Sequence, residues 1–114
     1  MSRRVEHKLL YHVVIIPANR ARRIEGRLGD LLSESFAQTA QAHGLQLHKI
    51  DLQVDHVRLQ LQGKPSLSAD KMIQLFKDGS STVVRKEFPD FVECVLGDSF
   101  WSEGYLAETI SEYE

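Results

Sequence analysis

The stretch Gln53-Val54-Asp55-His56-Val57-Arg58-Leu59-Gln60-Leu61 decides how the rest of the chain folds. Successive strand residues point to opposite faces, so alternation places Val57, Leu59 and Leu61 on one side and His56, Arg58 and Gln60 on the other. The apolar side belongs to a core; the polar side faces solvent or chemistry. Read backwards through a two-residue turn at Val54-Asp55, the preceding strand sets Gln53 opposite His56, Asp51 opposite Arg58 and Lys49 opposite Gln60. Ile50 and Leu52 then share the core side. Leu45 and Leu47 are out of phase with them, and a bulge near His48 reconciles the two halves of that strand.

Outward from this hairpin the pattern changes to helical. Ile24, Leu28, Leu31, Leu32, Phe36 and Ala40 recur at three- and four-residue steps, which predicts a helix over 24–43 stopped by Gly44. Before it, 9–17 is rich in Val and Ile and reads as a strand closed by Pro17, buried on both faces or lying at a subunit contact. After the hairpin, Gly63-Lys64-Pro65 breaks the strand and Ser68 caps a second helix, with Asp70 in its first turn favouring the helix dipole. Met72, Ile73, Leu75, Phe76, Val83 and Val84 supply its core stripe, and Gly79-Ser80-Ser81 predicts a bend or break within it. Pro89 ends the helix, and 91–96 returns as a strand. Strand, helix, strand, strand, helix, strand is the split βαβ arrangement, an α+β ferredoxin-like (RRM-like) antiparallel sheet with two helices on one face.

Composition narrows the class. The chain has 114 residues, 42% hydrophobic and 26% charged, as expected for one soluble domain spanning 1–114. No apolar run approaches the roughly 18 residues of a membrane span, and the amino terminus lacks a signal-peptide core, which places the protein in the cytoplasm. The single cysteine, Cys94, sits in the apolar run 91–96 and reads as a buried structural thiol. Net charge is -2, unevenly spread. Arg3, Arg4, Lys8, Arg20, Arg22, Arg23 and Arg27 outweigh Glu6 and Glu25 at the start, whereas no Lys or Arg follows Phe88. A basic face is compatible with that total. Arg20, Arg22 and Arg23 are either a solvated cluster or phosphate contacts.

The sequence Asp55-His56-Val57-Arg58-Leu59 after a hydrophobic strand resembles the single-strand DNA transposases of the TnpA type, members of the HUH (His-hydrophobic-His) tyrosine nuclease class. Three further segments carry the resemblance in the same order. Tyr11-His12-Val13-Val14-Ile15 stands for the family's opening strand, Lys77-Asp78-Gly79-Ser80-Ser81 with Arg85-Lys86-Glu87-Phe88-Pro89 for its second helix, and Phe100-Trp101-Ser102-Glu103-Gly104-Tyr105-Leu106 for the segment after it.

The resemblance implies a homodimer, here paired through the strand 91–96, that recognises hairpin or single-stranded DNA. It further implies Mg²⁺ or Mn²⁺ held by two histidines, polarising a phosphate that a tyrosine attacks in DNA transposition and recombination. His56 is then the metal ligand, with Arg58, Asp51 and Gln60 as neighbours. Arg20, Arg22, Arg23, Lys77, Ser80, Ser81, Arg85 and Lys86 become the nucleic-acid contacts. Lys77, Ser80 and Ser81 read equally well as a structural interruption of the helix.

Two departures fall on the chemistry. The second histidine is Arg58, a permanent cation that cannot ligate a metal. The chain also ends nine residues after Tyr105, where the family continues to a helix bearing the nucleophile. Tyr113 is that nucleophile if an intervening strand has been lost; otherwise Thr109-Ile110 belong to the last strand, the nucleophile helix is missing and Tyr113 is a frayed surface residue. If Asp51 lies across from Arg58, the two should pair and neutralise the site. The expected protein binds DNA and is impaired in cleavage. The alternatives are a regulator that binds nucleic acid without nuclease activity, and a protein-interaction domain.

Overall fold

The computed structural model describes residues 7–91 and 99–113. Six elements follow in order: β1 (His7–Ile15), α1 (Gly26–Ala42), β2 (Gln46–Leu52), β3 (Val57–Gln62), α2 (Ala69–Glu87) and β4 (Leu106–Tyr113). The four strands form one antiparallel sheet in the order β2-β3-β1-β4, the ferredoxin-like arrangement.

The deciding hairpin folds as its alternation requires. Val57, Leu59 and Leu61 are 0%, 2% and 1% exposed, and they join Val13 and Ile15 of β1 beneath the two helices. Asp51 pairs with Arg58 and Lys49 with Gln60, and the register slips between Leu47 and Lys49, so the bulge falls at His48. The turn closes with Gln53 N–H donating to the His56 carbonyl at 2.9 Å.

Both helices obey their end signals. Ser68 Oγ accepts from Lys71 N–H at 3.2 Å, capping α2. Gly44, at φ 63°, takes the left-handed conformation that turns the chain out of α1 and into β2. The core between helices and sheet is built on Leu32, Phe36, Phe76 and Val84, with Phe36 and Phe76 meeting edge to face at 6.1 Å.

Two expectations change. The helix does not break at Gly79-Ser80-Ser81; α2 runs unbroken from Ala69 to Glu87. The glycine serves close packing instead, because a Cβ at Gly79 would lie 2.6 Å from Thr39 Oγ1 of α1. The central strand β1 is covered by the helices on one face only, since His12 is exposed and Val14 half-buried on the other. The fourth described strand is Leu106–Tyr113, and it contains Thr109 and Ile110. Phe91 is outside any strand, while 92–98, including Cys94 and the expected subunit edge, lie outside the described residues.

Candidate functional site

The uncovered sheet face carries the polar side of the deciding stretch. His56 sits at the mouth of β3, just past the turn, and is held from both sides. Its Nδ1 lies 2.7 Å from Asp55 Oδ1, and its Nε2 lies 3.3 Å from Arg58 Nε. A guanidinium can only donate, so Nε2 is the acceptor and the ring proton belongs on Nδ1, facing Asp55. The hydrogen bond with His56 holds the Asp55 carboxyl below its usual value.

Asp51 is Arg58's register partner but not its ion-pair partner. Its carboxylate accepts from Gln53 Nε2 at 2.8 Å, while Arg58 turns toward His56. The expected Asp51–Arg58 pair is therefore replaced by an Asp55, His56, Arg58 chain. Asp55 is the functional neighbour that pattern reading placed only in the turn. Its position directly before a histidine was the available signal.

The rest of the face forms a cleft of about 540 Å³ lined by His12 and Val14 of β1, Lys49 and Asp51 of β2, Arg58 and Gln60 of β3, and Leu106 and Glu108 of β4. His12 was read only as part of the opening strand, although alternation sets it on one face with Leu10 and Val14.

The early arginines come to the His56 end. Ile24 N–H donates to the Val54 carbonyl at 2.8 Å, pinning their loop to the turn, and Arg20 acts electrostatically on Asp55. Arg20 is exposed. Arg23 pairs with Glu25 at 3.2 Å, and the Arg22 guanidinium lies 3.6 Å over the Phe91 ring. Lys86 is exposed and Arg85 half-buried in the last turns of α2.

Lys77, Ser80 and Ser81 stand elsewhere and do other work. Lys77 is only 5% exposed, and its Nζ donates to the carbonyls of Ser102 at 3.0 Å and Gly104 at 2.5 Å. Burial pushes the Lys77 ammonium below its usual value, against Asp78 and Glu103, which raise it. Ser80 Oγ donates to the Phe76 carbonyl and accepts from Trp101 Nε1, both at 2.7 Å. Ser81 Oγ accepts from Phe100 N–H at 2.9 Å. These side chains, expected on a DNA backbone, are turned into the protein. The segments 77–81 and 100–105 hold each other through these bonds.

Tyr113 is in β4, paired with His7, and not on a helix. Val57, beside His56, pairs with Ile15 at the opposite end of β1, eight residues from His7. At about 3.3 Å per residue, roughly 26 Å of strand separates the two positions within one subunit.

As for metal, His56 Nε2 is taken by Arg58, whose own charge repels a second cation. Among the described residues no cluster of three His, Cys, Asp or Glu side chains could hold an ion. The donor set at His56 does not fit a divalent metal.

Fold and site together define a transposase-type domain: a ferredoxin-like sheet whose open face bears a histidine and arginines at the head of β3. The chain belongs to the family described as "Transposase IS200 like", whose profile matches residues 5–114. It is similar to the ISDra2 transposase TnpA of Deinococcus radiodurans, 24% identical over 106 residues, covering 93% of this chain and 76% of that protein. Its fold is shared with a solved structure from Deinococcus radiodurans, with TM-score 0.81 and 24% identity over 98% of this chain and 86% of the other. A REP-associated tyrosine transposase bound to a REP hairpin shares it more distantly, with TM-score 0.65 and 9% identity over 96% of this chain and 61% of that one.

Proposed function

We infer that this chain is a hairpin-DNA-binding member of its transposase family in which strand cleavage is weakened or lost. The observation that carries the reading is the 3.3 Å contact between Arg58 Nε and His56 Nε2. Metal-assisted attack on a phosphodiester needs a cation beside the scissile phosphate and a nucleophile within reach of it. Here the one histidine of the motif has its acceptor nitrogen engaged by a guanidinium. Tyr113 stands far down β4 from it, so a cis nucleophile is not supported. Mg²⁺ or Mn²⁺ therefore has no role in this reading beyond outer electrostatics.

Binding has separate support. Arg20 is exposed beside the His56 end, and Lys86 at the end of α2 adds a second exposed cation. The hairpin carried by the REP-associated structural neighbour supports a hairpin as the ligand. We further propose that the protein works as a cytoplasmic homodimer. The support for pairing is β4, eight residues long and at the edge of the sheet among the described residues, with Leu106 67% exposed. No helix among the described residues is long and apolar enough to cross a membrane.

The test is a labelled hairpin with single-stranded flanks, incubated with the protein and Mg²⁺ or Mn²⁺. The expected result is salt-dependent retardation of the DNA with little or no cleavage and no covalent adduct. A Tyr113–DNA adduct found by peptide mass spectrometry contradicts the impaired-cleavage reading. Absence of retardation at low salt contradicts DNA binding and favours a protein-interaction domain.

A further inference from the structure

β2 ends the sheet on the side away from β4, and among the described residues no strand pairs with its outer edge. Which backbone groups face outward follows from the turn. Gln53 N–H bonds to the His56 carbonyl, so these two form a hydrogen-bonded pair, and such pairs alternate along an antiparallel ladder. Asp51 with Arg58 and Lys49 with Gln60 are then bonded across to β3, and the N–H and C=O of Ile50 and Leu52 point off the edge. No backbone group among the described residues outside the sheet bonds to either of them.

The side chains leave the same edge unfinished. Val57, Leu59 and Leu61 of β3 are buried, whereas their register partners Leu52, Ile50 and Leu47 are only half-buried. Beside them, between β2 and α1, runs a groove of about 700 Å³. Its helix wall is made of small residues, Ala37 and Ala40, with Gly44 where the chain turns, which leaves depth for a guest side chain. The ionisable residues that line it are His48 and Lys49, both exposed, and no carboxylate does. Native edges are commonly blunted by a bulge, a lysine or a covering segment. Here the bulge falls at His48, and 50–52 beyond it stays regular and uncovered. Two cations are too few for a nucleic-acid track, which neutralises a row of phosphates. Outward backbone groups two residues apart, beside an apolar groove, are what an added strand uses.

We propose that β2 is the docking edge for an extended segment of another protein, which adds an antiparallel strand beyond it. The guest is apolar at every second residue, with those side chains against Ile50, Leu52 and the alanines of α1. On its other face it carries a carboxylate beside Lys49. Bonding to Ile50 and Leu52 leaves Lys49 at a position where side chains of neighbouring strands approach most closely. Docking here is independent of DNA binding and leaves β4 untouched.

Amide hydrogen exchange read by NMR tests this with a capped synthetic peptide in which valine alternates with threonine and one central glutamate. At about ten times its Kd the peptide should slow exchange of the Ile50 and Leu52 amides about tenfold. The same peptide with its valine amides N-methylated, or with its residues reordered to break the alternation, should not. Lys49→Glu, at an exposed position and checked for folding by circular dichroism, should weaken binding about fivefold, and a peptide with lysine in place of glutamate should recover it. Unchanged affinity in Lys49→Glu, equal binding of the reordered peptide, or no slowing at about 1 mM peptide overturns the proposal. Slowing of these amides by a DNA hairpin in place of the peptide overturns it and makes the groove a nucleic-acid surface. Protection of Ile50 and Leu52 in the free protein that fades on dilution overturns it in favour of a second copy of the chain.

Discussion

Trp101 donates its indole Nε1–H to Ser80 Oγ at 2.7 Å, and Ser80 in turn donates a hydrogen bond from its hydroxyl to the Phe76 carbonyl one turn back. Both residues are essentially out of solvent, Ser80 at 0% and Trp101 at 3% exposure. Ser80→Ala therefore strands a buried indole N–H, and the expected loss is about 1–3 kcal/mol of stability in urea unfolding. Lys77→Met keeps the buried stem but removes the donor to Ser102 and Gly104, with an expected loss of roughly 2 kcal/mol. Neither substitution should alter the salt slope of DNA binding. A slope lower by about 0.7 in Lys77→Met would instead mark Lys77 as a phosphate contact.

Gly79 lets α1 and α2 approach at Thr39, whose Oγ1 a Cβ would meet at 2.6 Å. Alanine is worth up to about 1 kcal/mol over glycine in a helix interior, which the clash should cancel or exceed. Gly79→Ala alone should thus be neutral or destabilising. Combined with Thr39→Ala it should stabilise relative to Thr39→Ala alone, a coupling of about 1 kcal/mol in a double-mutant cycle. Additive effects would show that the helices can separate freely at this point.

Tyr105 donates its hydroxyl to Asp70, and that hydrogen bond raises the phenol above its ordinary value of 10.0. A group whose value is raised by folding contributes stability that is complete below its unfolded value and lost as pH climbs through the folded one. Wild type should therefore lose more stability than Tyr105→Phe as pH rises above the phenol's ordinary value of 10.0. Comparing the two proteins cancels the contribution of Lys77, which is lowered and acts in the opposite direction. Parallel urea midpoints across that range would remove the Tyr105–Asp70 bond from the account.

The three early arginines should not behave alike. Arg20 is exposed, Arg23 is paired with Glu25, and Arg22 rests on Phe91. Arg20→Ala should flatten the salt dependence of DNA binding by about 0.7. Arg23→Ala should do so less, its charge being already partnered, and Arg22→Ala should lower stability by about 0.5–1 kcal/mol through loss of the ring contact. Equal slope changes in all three would mean a single diffuse basic patch.

Much of the fold was legible because short-range rules and long-range packing agreed. Alternation in β3 gave the core face, the out-of-phase leucines of β2 gave the bulge at His48, and Ser68 and Gly44 marked helix ends. Gly79 misled because a glycine that breaks an isolated helix also permits close packing, and only the position of Thr39 separates the two. The site was legible in type but not in pairing. Register placed Asp51 opposite Arg58 correctly, yet side-chain rotamers sent Asp51 to Gln53 and Arg58 to His56. Lys77, Ser80 and Ser81 carried no local mark of burial, since the groups they satisfy lie about twenty residues downstream.

The central claim is that Arg58 occupies the acceptor nitrogen of His56 and so excludes a divalent cation. Isothermal titration with Mn²⁺, for wild type and for Arg58→His, tests it most directly. Wild type should show no stoichiometric heat, whereas Arg58→His, with two imidazoles on alternate residues of one strand face, should gain measurable Mn²⁺ affinity. Stoichiometric Mn²⁺ binding by the wild-type chain, abolished by His56→Ala, would contradict the account.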